Sequence, residues 1–219
     1  MVRCLTLAVV LLLGLAPDAG AGAWLREKGT AFVELSGQVT EPDEYGFHGL
    51  DAGLYAEYGL AERLTLGVDA GHDMLRVSKA VVFLRLPLGR ETRKTKLAVE
   101  LGAGQVGDDT ALRPGLSIGR GLRLWDRSGW LNADGRVVLA RGGAMTLESD
   151  LTAGLSITAR AKIILQLQLG QPDTGTGYAT LAPSVVYETK PGTHLELGLT
   201  QPLAGGDLRG VSLDIWRTF

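Results

Sequence analysis

Cysteine is nearly absent. The only one in 219 residues, Cys4, sits in an apolar leader that is expected to be removed, so the mature chain has no thiol. For an exported protein that excludes a disulfide framework, a cysteine zinc site and a cysteine nucleophile. Histidine is scarce too. His48, His72 and His194 have no metal-ligand spacing with acidic partners, and no H-E-x-x-H run occurs, so neither metal nor cofactor is expected. A basic excess is missing: 22 Lys and Arg against 24 Asp and Glu leave a formal net charge of −2, which argues against a nucleic-acid partner. Beyond residue 21 no apolar run approaches the roughly 20 residues that a membrane helix requires. Yet 45% of the residues are hydrophobic and 31 are glycine. If such a chain enters a bilayer it does so as strands, with a lipid-soluble outer face and small residues in the turns and interior.

The leader has three parts. Arg3 gives a short positive start, residues 4–15 are almost wholly apolar, and Ala19-Gly20-Ala21 is a small-x-small cleavage pattern after Pro17. This predicts a secretory signal peptide over residues 1–21 and a mature barrel domain over 22–219, which is 219 − 21 = 198 residues. Cys4 precedes the apolar run, so lipid anchoring is not expected.

From residue 30 onward apolar and polar residues alternate with period two, in segments parted by turns. The segments are 30–40, 51–60, 64–72, 79–88, 97–105, 112–122, 130–140, 147–157, 163–169, 178–187, 195–203 and 211–219. The clearest sets Ile163, Leu165, Leu167 and Leu169 against Gln166 and Gln168. The pattern predicts an all-β fold, a transmembrane antiparallel up-and-down barrel of about 12 strands. Pro87, Pro114 and Pro183 fall inside segments, where a closed barrel has no edge to tolerate a missing donor, so ten strands is the alternative. Parity places Tyr58, Tyr187 and Phe219 outward at the periplasmic strand ends, as an aromatic girdle, with Arg217 near enough to the interface to snorkel.

The last segment alternates Val211, Leu213 and Ile215 with Ser212, Asp214 and Trp216, and ends on Phe219. It resembles the closing strand of bacterial outer-membrane β-barrels, which in that class pairs with the first strand and is read by the assembly machinery. That resemblance makes Phe219 the expected assembly signal. Tyr58, Gly59, Leu60, Arg63, Leu64, Leu66 and Gly67 match a recurrent hairpin of porin-like outer-membrane proteins, including the phenol-degradation meta-pathway family. The resemblance implies a porin-like protein of a Gram-negative outer membrane, with lipid and the barrel-assembly machinery as partners.

Alternation gathers Glu34, Asp51, Glu57, Asp69, Arg85, Glu100, Arg113, Arg120, Asp134, Arg136, Glu148, Asp150, Glu196 and Asp214 on the inward face, ten acids to four bases. The expected function is a passive channel for small hydrophilic solutes through a polar, net-acidic lumen, without catalysis. Two rivals stand beside it. His72 and Ser78, both outward by parity, could pair as base and nucleophile of a lipid-face acyl hydrolase, although no orienting acid is evident on that face. Alternatively the inward charges knit the interior shut, leaving a plugged structural barrel. The G-x-G-x-x-G match at 102–107 predicts no dinucleotide site, because the residues after it include Pro114 and have no helical period.

Overall fold

The computed structural model describes residues 22–74, 76–90, 93–205 and 208–219; the signal peptide expected over 1–21 lies outside the described residues. The first six strands are β1 Ala31–Pro42, β2 His48–Ala61, β3 Leu64–His72, β4 Val77–Pro87, β5 Thr95–Val106 and β6 Asp109–Leu124. The second six are β7 Arg127–Ala140, β8 Met145–Ser156, β9 Ala161–Pro172, β10 Tyr178–Lys190, β11 Thr193–Ala204 and β12 Gly210–Thr218. Each pairs antiparallel with its chain neighbours, and β1 also pairs with β12, so the sheet closes on itself. The end where the chain enters at Ala31 and leaves at Thr218 is called the base below, and the opposite end the rim.

Twelve strands form because the prolines interrupt the ladder on one side only. Pro87 is the last residue of β4. Pro114 opposes Leu101 of β5, while the β6–β7 ladder passes from Leu112↔Leu139 to Gly115↔Arg136 without the pairs between. Pro183 opposes Leu165 of β9, and the β10–β11 ladder passes in the same way from Leu181↔Gln201 to Ser184↔Gly198. Pairing resumes in register each time, so a missing donor leaves a short gap and the ring survives.

The two faces of the ring differ as period-two alternation requires. Leu35, Val82, Leu101, Leu116, Leu165, Leu197 and Leu213 point outward and are 48 to 62% exposed. A closed ring with an apolar exterior is the β-architecture a bilayer accepts, since no unpaired strand edge meets hydrocarbon. Tyr58, Tyr187 and Phe219 are exposed at the base.

Inside, one side of the base is apolar. Phe32, Val186 and Trp216 form a buried cluster, with Tyr55 and Ile164 packed against it, and the Phe32 and Trp216 rings meet edge-on at 6.2 Å. Large rings fit because glycines face them across the ladder. A Cβ on Gly67 would overlap the Phe83 ring, and one on Gly154 the Trp130 ring.

The segment before β1 also enters the base. The Ala23 N–H donates to Asn132 Oδ1 at 3.3 Å, the Arg26 N–H to Thr65 Oγ1 at 3.0 Å, and the Gly29 N–H to the Gly59 carbonyl at 2.8 Å. Trp24 lies against Gly119, where a Cβ would collide with its ring. Ala23 is 2% exposed. Residues 22–29 therefore cross the ring from β7 towards β2 and β3, and together with the aromatic cluster they narrow the base.

Candidate functional site

One wall of the lumen is an alternating chain of charge. Lys79 Nζ lies 2.8 Å from Asp69 Oδ1, and Arg113 Nη1 donates to Asp69 Oδ2 at 2.6 Å. Arg113 Nη2 reaches Glu100 Oε1 at 3.3 Å, and Arg85 Nη2 reaches Glu100 Oε2 at 2.7 Å. Arg85 Nη1 donates to Glu57, whose other oxygen accepts from Arg26 Nε at 2.5 Å. Lys79, Asp69, Arg113, Glu100, Arg85, Glu57 and Arg26 thus run as plus and minus in turn. The chain ties the entering segment to strands β2 to β6. The Tyr55 hydroxyl donates to Glu57 Oε1 at 2.7 Å, and Arg26 and Arg85 stack over Phe32 and Phe83 at 4.4 and 5.0 Å. Burying each of these charges alone would be costly, and a guanidinium fork shared between two carboxylates offsets that cost.

A second group lies on β7 and β8. Arg136 Nη2 is 3.0 Å from Asp150 Oδ2, Glu148 stands opposite Arg136 in the register, and Asn132 Nδ2 donates to Asp134 Oδ2 at 2.6 Å.

The third group is built differently. Glu34 of β1, Glu196 of β11 and Asp214 of β12 come together so that one carboxylate oxygen from each lies within 4.8 Å of the others. The register brings them there, with Glu196 opposite Asp214 and Asp214 opposite Ser36, the next inward residue after Glu34. Ser212 Oγ donates to Asp214 Oδ2 at 3.2 Å. Beside them is a neutral polar wall, in which Gln168 Nε2 donates to Gln166 Oε1 at 2.7 Å and Gln166 Nε2 to Thr152 Oγ1 at 3.4 Å. These groups border a cavity of about 630 Å³ with Arg26, Phe32, Trp130 and Trp216 on the base side and Asp51, Lys79 and Thr200 nearer the rim.

Of the charges expected on the inward face, Glu34, Asp51, Glu57, Asp69, Arg85, Asp134, Arg136, Asp150, Glu196 and Asp214 border this cavity. Glu100 and Arg113 are buried in the charged wall. Arg120 is misplaced: Arg113, Ser117 and Gly119 are buried on the inner face of β6, and Arg120, of opposite parity, is exposed. The balance also shifts, because Arg26 and Lys79 add cations that the alternation did not bring forward. The His72–Ser78 geometry also needs correcting. A bulge between Gly71 and His72 pairs His72 with Val77, and Ser78 Oγ sits 2.8 Å from where a Gly71 Cβ would be, on the inner side. Ser78 therefore turns towards the cavity, away from the lipid face. Residues 102–106 of the glycine-rich match lie in β5, a strand that ends at a turn.

An apolar exterior, a closed twelve-stranded ring and a polar interior define a porin-like β-barrel. Known structures agree at the level of the fold. The KdgM porin superposes with a TM-score of 0.65 over 86% of this chain and 99% of that one, at 11% identity. The NanC porin gives 0.64 over 85% and 98%, at 10% identity. The COG4313 outer-membrane channel from Pseudomonas putida F1 gives 0.57 over 91% and 99%, at 12% identity. The chain has the fold of these outer-membrane porins and channels. No family model and no curated protein sequence matches it, so the hairpin likeness at Tyr58 to Gly67 stays local.

Proposed function

We propose that this protein is an outer-membrane channel for small hydrophilic solutes that favours cations, exported by a cleaved signal peptide and inserted through recognition of Phe219 by the assembly machinery. The observation that carries the reading is the cavity of about 630 Å³ bordered by three mutually adjacent carboxylates, Glu34, Glu196 and Asp214. Acids held this close share a net negative charge that attracts cations and repels anions. No catalytic role is assigned to His72 or Ser78.

A second reading, a plugged structural barrel, is favoured by the aromatic cluster and residues 22–29 at the base. Planar-bilayer recording in asymmetric potassium chloride separates the two. The channel reading expects cation-selective conductance that loses its selectivity when Glu34→Gln, Glu196→Gln and Asp214→Asn are combined. It also expects larger conductance when residues 22–28 are deleted. Silence from both the intact and the shortened protein leaves the structural reading. Removing Phe219 should lower the yield of folded barrel without lowering export across the inner membrane; an equal yield would remove the assembly role.

A further inference from the structure

Asp134 is a buried acid of the lumen that no ion pair reaches among the described residues. It is 7% exposed, and although Oδ2 accepts from Asn132, Oδ1 has no hydrogen-bond partner. Arg136, the cation nearest on its own strand, is engaged by Asp150, which itself stands opposite Asp134 on β8; Ser117 stands opposite on β6. Among the described residues no ion pair reaches Asp134. A buried carboxylate without a counter-charge is strongly disfavoured.

The group lying against that oxygen is Gly22. A Cβ placed on Gly22 would overlap Asp134 Oδ1, and its φ of +52° is left-handed, so an L side chain is opposed by space and strained in its backbone. Gly22 is buried, and the next residue, Ala23, is anchored by its N–H to Asn132, the same side chain that donates to Asp134. The bond on the other side of Gly22 is the one that Ala19-Gly20-Ala21 marks for cleavage.

We propose that export processing cuts between Ala21 and Gly22, and that the α-ammonium so created is the counter-ion of Asp134, a built part of the lumen. The step is an amide hydrolysis by a signal peptidase with one water. The hydroxyl goes to the Ala21 carbonyl carbon, and the Gly22 nitrogen receives the hydrogen and then a proton from solvent. Before cleavage that nitrogen is a neutral amide without the charge Asp134 lacks. After it, the charge arrives on a residue whose only substituents are hydrogens, at the one place in the segment where nothing larger fits. The pairing fixes the end of residues 22–29 across the base and is independent of whether the barrel conducts.

The test uses the processed protein folded in detergent. Its first residue is read by terminal sequencing, and its α-amine is labelled at about pH 6.5, below the ordinary α-amine range, with an amine-selective reagent. The mature chain should begin at Gly22. Its amine should label about tenfold more slowly than in Asp134→Asn, the change that one pKa unit makes. A different first residue overturns the proposal, as do equal rates in wild type and Asp134→Asn. If that variant does not fold, wild type is compared folded and denatured, and a folded amine that labels as fast as the unfolded one overturns it equally.

Discussion

The wall made by β2 to β6 and the wall made by β9 to β12 with β1 both turn carboxylates inward. In the first, Glu57, Asp69 and Glu100 each meet two cations; in the second, Glu34, Glu196 and Asp214 meet one another. The first wall is filled, with Arg85 and Phe83 buried and Tyr55 hydrogen-bonded between Glu57 and Arg85. The cavity lies between the two, bordered by Glu57, Asp69 and Arg85 on one side and by the three acids on the other. One barrel thus shows both outcomes of an acidic interior. Interleaved with arginine, acids knit the wall solid. Left beside amides and hydroxyls, they face the cavity and one another.

The largest effect should come from breaking the first wall. Arg85→Met leaves Glu57 with Arg26 alone and Glu100 with Arg113 alone, and removing one partner of a buried ion pair costs about 3–5 kcal/mol. Urea unfolding in detergent, followed by the heat-dependent gel shift of the folded barrel, measures it; a loss below about 1 kcal/mol would mean the wall is not paired as described. The next effect tests alternation within one strand. Leu197→Arg, on the lipid side, should cost about 2–4 kcal/mol if it lies near the bilayer midplane. Glu196→Gln, its neighbour on the lumen side, should instead raise stability by on the order of 1 kcal/mol by relieving repulsion within the triad. If both changes destabilise equally, the two faces are not distinct. The smallest effect belongs to the neutral wall: Gln166→Ala removes two side-chain hydrogen bonds and should cost about 0.5–1.5 kcal/mol, leaving selectivity unchanged in bilayer recordings.

The strands were legible in the sequence because period two survives any error of a few residues at a boundary. Leu197 and Glu196, or Leu213 and Asp214, fall on opposite faces in any register that keeps the exterior apolar. Strict parity fixes more than the strands themselves. Arg113 and Arg120 are seven positions apart and so must face opposite ways in an unbroken strand. Phe32 and Trp216 share a face with Glu34 and Asp214, which foretells the aromatic base. Two features could not be read. The bulge at Gly71 and His72 reorients Ser78, and a bulge leaves no periodic trace. Arg26 lies in a segment without alternation, and its role depends on that segment folding back into a ring that closes far along the chain.

That closure also has a meaning in time. The Ala31 N–H donates to the Phe219 carbonyl at 3.3 Å, and the Phe219 N–H donates to the Ala31 carbonyl at 2.9 Å, across 219 − 31 = 188 positions of chain. Until β12 arrives, β1 has an unpaired flank, and any partial sheet ends in exposed donors and acceptors that another chain could capture. The entropy of bringing such distant ends together grows only slowly with length, so the hindrance is one of sequence more than of energy. The first strand made must therefore wait for the last. A variant that delays the docking of β12 should lengthen the aggregation-prone interval during refolding while leaving the unfolding midpoint of the finished barrel where it was.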